Sequence, residues 1–146
     1  MRTRLTRRWA MDTREFFHNV VRRNYFEFFE RGDDIRLLWN AVVSMNSVAE
    51  YLALHQHNYA PISQNQLTQT AKQIREQHHL LDLKYCAETF KHIRKIKDQR
   101  GGASFTTTGS STNITSDRAT WMINQFDVVD VLRNAFAKLD QLSQLR

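Results

Sequence analysis

A chain of 146 residues holds one hydrophobic core and has no room for a second full domain, because single cores run to roughly 100–200 residues before chains divide. Its 41% hydrophobic and 25% charged residues exclude a disordered or fibrous protein, and one proline with four glycines leaves little to interrupt helices, against an all-β sandwich or barrel. The lone cysteine, Cys86, excludes an internal disulfide, no apolar run approaches the roughly 18 residues that cross a bilayer, and the net charge of +6 points to an anionic partner.

That charge is concentrated in two places. Arg2, Arg4, Arg7 and Arg8 stand at the N-terminus without an acid among the first eleven residues, and residues 84–100 hold six Lys or Arg against Glu88 and Asp98. Residues 1–12 read as a basic tail and 13–146 as a single helical domain. Asp12 and Glu15 come too early for a transit peptide, so a cytoplasmic location is expected.

The first helix is predicted from Thr13 to about Arg31, capped by Asp12 or Thr13, with Phe16, Phe17, Val20, Val21, Tyr25, Phe28 and Phe29 at helical spacing. Its apolar stripe covers more than half the circumference. It is therefore central or also serves an interface, and a homodimer burying part of Phe16, Phe17, Phe28 or Phe29 is expected. Gly32 ends it. Asp33-Asp34 caps a second helix from Ile35 to about His55, whose only charges are Arg36 and Glu50.

Ser63 opens a third helix in which Leu67, Ala71, Ile74 and His78 share a stripe. A fourth helix is predicted from Leu80–Asp82 to about Gln99, stopped by Gly101-Gly102. Of residues 101–116, thirteen are Gly, Ser, Thr or Asn, and the Thr-rich runs with Phe, Trp and Ile around Gly109-Ser110 predict a β-hairpin over about 103–123. A last helix follows from Asp127 to about Leu142. The fold class is an all-α antiparallel bundle of four to five helices with a small hairpin before the last.

Asn24 and Asn46 fall inside apolar stripes, where a buried amide needs partners; each either bonds a neighbouring helix or lines a small polar pocket. His55 and His57 converge only in an extended chain, and His78-His79 point about 100° apart on a helix, so no metal site is expected. On a helix running to Gln99, Lys84, Lys91 and Lys95 fall within about 40° of each other and form a cationic ridge with Glu88. His92 lies at its edge, where neighbouring cations favour a neutral imidazole able to act as a base.

At Leu37-Leu38-Trp39-Asn40-Ala41-Val42-Val43-Ser44 and again at Ala87-Glu88-Thr89-Phe90-Lys91-His92, the chain resembles a group of small bacterial helical proteins of unassigned function. These in turn resemble the HEPN superfamily. The resemblance implies a helical bundle that dimerises, binds nucleotides or RNA, and belongs to toxin, RNA-cleavage or phage-defence systems. Ribonuclease members pair an arginine with a following histidine; in Arg75-Glu76-Gln77-His78-His79 the histidines follow more closely than that pattern, and Lys91-His92 has no arginine at the required distance before it.

The leading expectation is a non-catalytic HEPN-like module binding nucleic acid, RNA above all, or a nucleotide through Lys84, Lys91, Arg94 and Lys95, with Arg2, Arg4, Arg7 and Arg8, and without a cofactor. One alternative is a metal-independent ribonuclease with His92 or His79 as base and Arg94 or Arg75 on the phosphate. Another is a subunit that docks on a partner protein through its apolar first helix.

Overall fold

The computed structural model describes residues 11–91, 93–95, 104–107, 110–117, 120–123 and 126–144. It is an all-α bundle with antiparallel strands inserted before the last helix. The first helical rod joins α1 (Thr13–Phe16) to α2 (Arg22–Glu30) through a π turn, Phe17–Val21. The second joins α3 (Ile35–Asn46) to α4 (Val48–Gln56), and α5 (Gln64–Gln77) and α6 (Leu81–Lys91) follow. Then come β1 (Ile93–Lys95), β2 (Ser104–Thr107), β3 (Ser110–Asp117), β4 (Thr120–Ile123) and β5 (Phe126–Asp127), and last α7 (Val128–Leu142).

Side chains close four helix starts. Asp12 accepts from Glu15 N at 2.8 Å while the Glu15 carboxylate accepts from Asp12 N at 3.1 Å, and Ser63 and Gln66 form the same reciprocal pair. Asp34 caps α3, and Asp127 caps α7 with bonds from Val129 N and Asp130 N. Thr13 N–H, another orphan donor, reaches the Tyr59 hydroxyl at 2.9 Å. Tyr59 is held in a left-handed conformation (φ 58°) that a bulky side chain rarely adopts.

Most of the wide apolar stripe of the first rod is covered within the chain, although Phe26 stays 47% exposed. Adjacent residues of the rod point about 100° apart and so serve different neighbours. Phe16 stacks on Tyr51 of α4 with centroids 4.1 Å apart, whereas Phe17 meets Phe136 of α7 at 5.4 Å. Phe16, Phe17 and Phe28, expected at an interface, are all buried within the chain. Phe29 is half-buried with the Arg133 guanidinium 5.0 Å over its ring.

Two expected helices change course. The second breaks at Ser47: Glu50 N–H donates to Ser47 O, and Asn46 O takes Arg75 Nη2 at 2.9 Å. The fourth ends at Lys91, eight residues before Gln99, and 93–95 enter a strand. The Thr-rich β2 already pairs with β3 and takes β1 along its other edge, so a tertiary ladder overrides the helix propensity of Arg94 and Lys95.

The expected hairpin is present as β2 and β3, with Thr107 opposite Ser110. It is extended on both sides into a five-stranded antiparallel meander in chain order. The first half of β3 pairs with β2 and its second half, Ile114–Asp117, with β4. Trp121 fastens β4 to the bundle: its ring is buried, and Nε1 donates to Gly32 O at 2.6 Å at the end of the first rod.

Candidate nucleic-acid interface

The ridge expected on one helix is divided between two elements. Lys84 is exposed on α6, Lys91 is the last residue of that helix, and Arg94 and Lys95 lie in β1 opposite Thr106 and Phe105. Lys95 therefore does not continue a helical stripe with Lys84 and Lys91. His92, Arg2, Arg4, Arg7 and Arg8 lie outside the described residues.

What the fold adds is a division of charge. Residues 11–91 carry nine Lys or Arg against ten Asp or Glu, and residues 126–144 carry two against three, so the bundle has a small net negative charge. Residues 1–10 carry four arginines and no acid, and residues 92–125, which contain β1 to β4, carry five cations against two acids. The excess positive charge thus belongs to the N-terminal segment and the strand segment.

The catalytic candidates from the third helix have structural duties. Arg75 is 5% exposed. Its Nε donates to Asn46 Oδ1 at 3.1 Å, and its Nη2 reaches Asn46 O and both carboxylate oxygens of Glu50 at 2.9–3.0 Å. A buried guanidinium with its charge met by Glu50 is not placed to receive phosphate. This network also answers the buried amide of Asn46. Asn24 is met in the same manner, its Nδ2 donating to Ser44 Oγ at 3.2 Å and Asn40 O at 3.4 Å.

His79 is exposed at the first residue past the α5 C-cap, with φ 57°, and Leu80 N–H closes the turn on Arg75 O at 2.8 Å. The other paired histidines diverge as well: His57 Nε2 lies 3.3 Å from Thr70 Oγ1 and the His55 ring packs on Tyr59. Among the described residues, no three His, Cys, Asp or Glu side chains come together to hold a metal ion. The Cys86 thiol is fully buried, and burial, with the charge of Asp82 adding to it, pushes it up to about 12, so it is no nucleophile at neutral pH.

The fold brings together one further group, from two ends of the chain. Arg14, His18 and Arg22, at successive four-residue steps on the first rod, face Asp140, Ser143 and Gln144 at the end of α7 across a cleft of about 200 Å³. The four-residue spacing was the available signal; the facing wall comes from more than a hundred residues away in the chain.

Compared with protein-family models, with curated proteins and with solved structures, the chain matches none.

Proposed function

We propose that the protein is a non-catalytic nucleic-acid-binding module, with RNA as the favoured ligand, in which the helical bundle is a scaffold and the basic segments contact phosphate. The supporting observation is the division of charge: a slightly negative bundle beside a strand segment, residues 92–125, with five cations against two acids. A scaffold without net positive charge supplies no general attraction for a phosphate backbone, so the segments that carry Arg94, Lys95 and the N-terminal arginines set where a strand lies. Strands are established readers of nucleic-acid grooves. The resemblance to HEPN-like bundles points the same way. The ribonuclease alternative loses Arg75 to the Asn46 and Glu50 network.

Salt-dependent binding tests this reading. Replacing Arg94, Lys95, Lys97 and Arg100 together by Gln is expected to weaken binding of a single-stranded RNA in fluorescence anisotropy. It should make the log–log salt slope shallower by roughly one unit per lost phosphate contact. Lys72→Gln, on the exposed face of α5, should leave both unchanged. Equal affinity and equal slope in the fourfold variant and the parent would overturn the assignment.

A docking surface is a second reading with its own support. Leu81 and Tyr85, one turn apart on α6, are 49% and 39% exposed, and the Tyr85 ring lies 5.0 Å from Phe126 of β5. Exposed apolar side chains grouped in this way are a feature of interaction sites.

A further inference from the structure

The cleft between the first rod and the end of α7 has the parts of a ligand site. Phe17, buried, lies beneath it. Arg14, His18 and Arg22 form one wall, and His18 belongs to the π turn, a local irregularity found frequently at functional sites. The Arg22 guanidinium lies 5.3 Å over the Phe26 ring, which steadies one cationic fork. Asp140 is on the facing wall, yet among the described residues no ion pair joins it to Arg14 or Arg22. Ser143 beside it is 2% exposed, and its Oγ is the only buried side-chain polar atom among the described residues without a hydrogen-bond partner. That hydroxyl is closed to solvent, so the polar groups that open on the cleft are those of Arg14, His18, Arg22, Asp140 and Gln144.

We propose that this cleft binds a ribose 5-phosphate group, either free or as the 5′ end of a nucleic acid. Two guanidinium forks and an imidazole N–H suit a phosphate monoester, because arginine meets phosphate with paired, charge-assisted donors. Across the cleft, the Asp140 carboxylate and the Gln144 amide suit ribose hydroxyls, which both donate and accept. Asp140 disfavours a bare anion and selects one with donors behind the phosphate. The volume of about 200 Å³ is below the roughly 300–1,000 Å³ of a drug-sized site, so a sugar phosphate fills it and any attached base stays outside. The site uses no charge from residues 1–10 or 92–125, so it stands apart from the reading above.

The test titrates ribose 5-phosphate into the full chain and follows the His18 ring signals by NMR, in the parent and in the fourfold Gln variant of the strand segment. Both are expected to show a saturable shift complete by about 10 mM, as for a Kd of about 1 mM or tighter, with inorganic phosphate binding more weakly. Arg14→Gln with Arg22→Gln should weaken binding about tenfold or more while circular dichroism shows the helices intact. A 5′-phosphorylated RNA that outcompetes its 5′-hydroxyl counterpart, with the preference lost in the arginine double variant, identifies the nucleic-acid end. Equal binding of the two RNAs, with the sugar phosphate still bound, identifies the free sugar phosphate. No saturable shift, or an affinity unchanged in the arginine double variant, overturns the proposal.

Discussion

In the bundle, helix starts are closed by Asp12, Asp34, Ser63 and Asp127, and the largest side chains, Phe28, Phe90, Leu37 and Leu38, are sealed from water. The strand segment is built differently. Its order comes from ladder pairing between neighbours in sequence, and its described anchors to the bundle include Trp121 and Ile123 of β4 and Phe126 of β5 against Tyr85. The bundle carries slightly more acid than base, the strand segment the reverse. A weakly acidic bundle thus carries a basic segment fastened to it through β4, and stability and binding become separable by mutation.

Breaking the bundle should give the largest effect. Arg75→Leu removes four hydrogen bonds and leaves Asn46 O and Oδ1 inside the protein without their donor. Glu50, partly exposed, recovers some hydration, so the expected loss is about 2–4 kcal/mol, read as a lower urea midpoint. Arg75→Lys should recover only part of it, because an ammonium cannot span Asn46 and Glu50 as the planar fork does. A loss below about 1 kcal/mol in Arg75→Leu would show that the network does not stabilise the fold.

Cutting the fastener comes next. Trp121→Phe keeps a ring in the pocket and removes the Nε1–H bond to Gly32 O, a loss of about 1–2 kcal/mol. Hydrogen exchange sharpens the comparison: amides of β4 and β5 should lose protection while those of α3 and α5 keep theirs. Uniform loss across both would mean that strands and helices unfold as one unit.

The two regions also differed in how far the sequence disclosed them. The bundle helices were legible because apolar residues recur at helical spacing and the capping residues stand where those runs begin. The break at Ser47 was not, since its cause is Arg75, a partner 29 residues from Asn46. Arg75 itself left a signal: it sits one position after Ile74 on the stripe with Ala71, and the second helix held an inward asparagine and a lone Glu50 needing a cation. Read as a neighbour of His79 it looked catalytic; read with Asn46 and Glu50 it is structural. In the strand segment, composition announced β2 and β3, but β1 depends on a ladder with residues 105–107 that no local pattern encodes.

A third prediction uses alkaline pH on the bundle alone. Burial first, then the charge of Asp82, pushes the Cys86 thiol from its ordinary value of 9.0 up to about 12, and burial also raises Tyr25 and Tyr51. These groups stay protonated in the folded chain at a pH where they ionise in the unfolded one. Their stabilisation is complete below about pH 9 and is lost as pH rises toward about 12. Urea midpoints should fall over that window, and Cys86→Ala should flatten the slope without abolishing it, because the tyrosines remain. A slope identical in the variant would mean that the thiol ionises alike in both states.

The smallest effect is a gain. His79 occupies the left-handed position that ends α5, where the Schellman turn closes through Leu80 N–H to Arg75 O and packs buried Leu80 near Ile74. Glycine adopts that conformation without the Cβ clash that costs other residues roughly 1–2 kcal/mol, though it loses more backbone entropy on folding. The balance favours His79→Gly by about 0.5–1 kcal/mol, read as a rise in Tm of a few degrees. Its side chain is exposed and its carbonyl, which accepts from Lys138 Nζ at 3.4 Å, is kept in the variant, so no packing is lost to mask the gain. The same substitution separates the two roles assigned to this histidine: a general base would be missed in any RNA-cleavage assay, whereas a C-terminal stop residue leaves nucleic-acid affinity and its salt slope as they were. A fall in Tm would show that the histidine ring, and not the backbone angle, is what the turn requires.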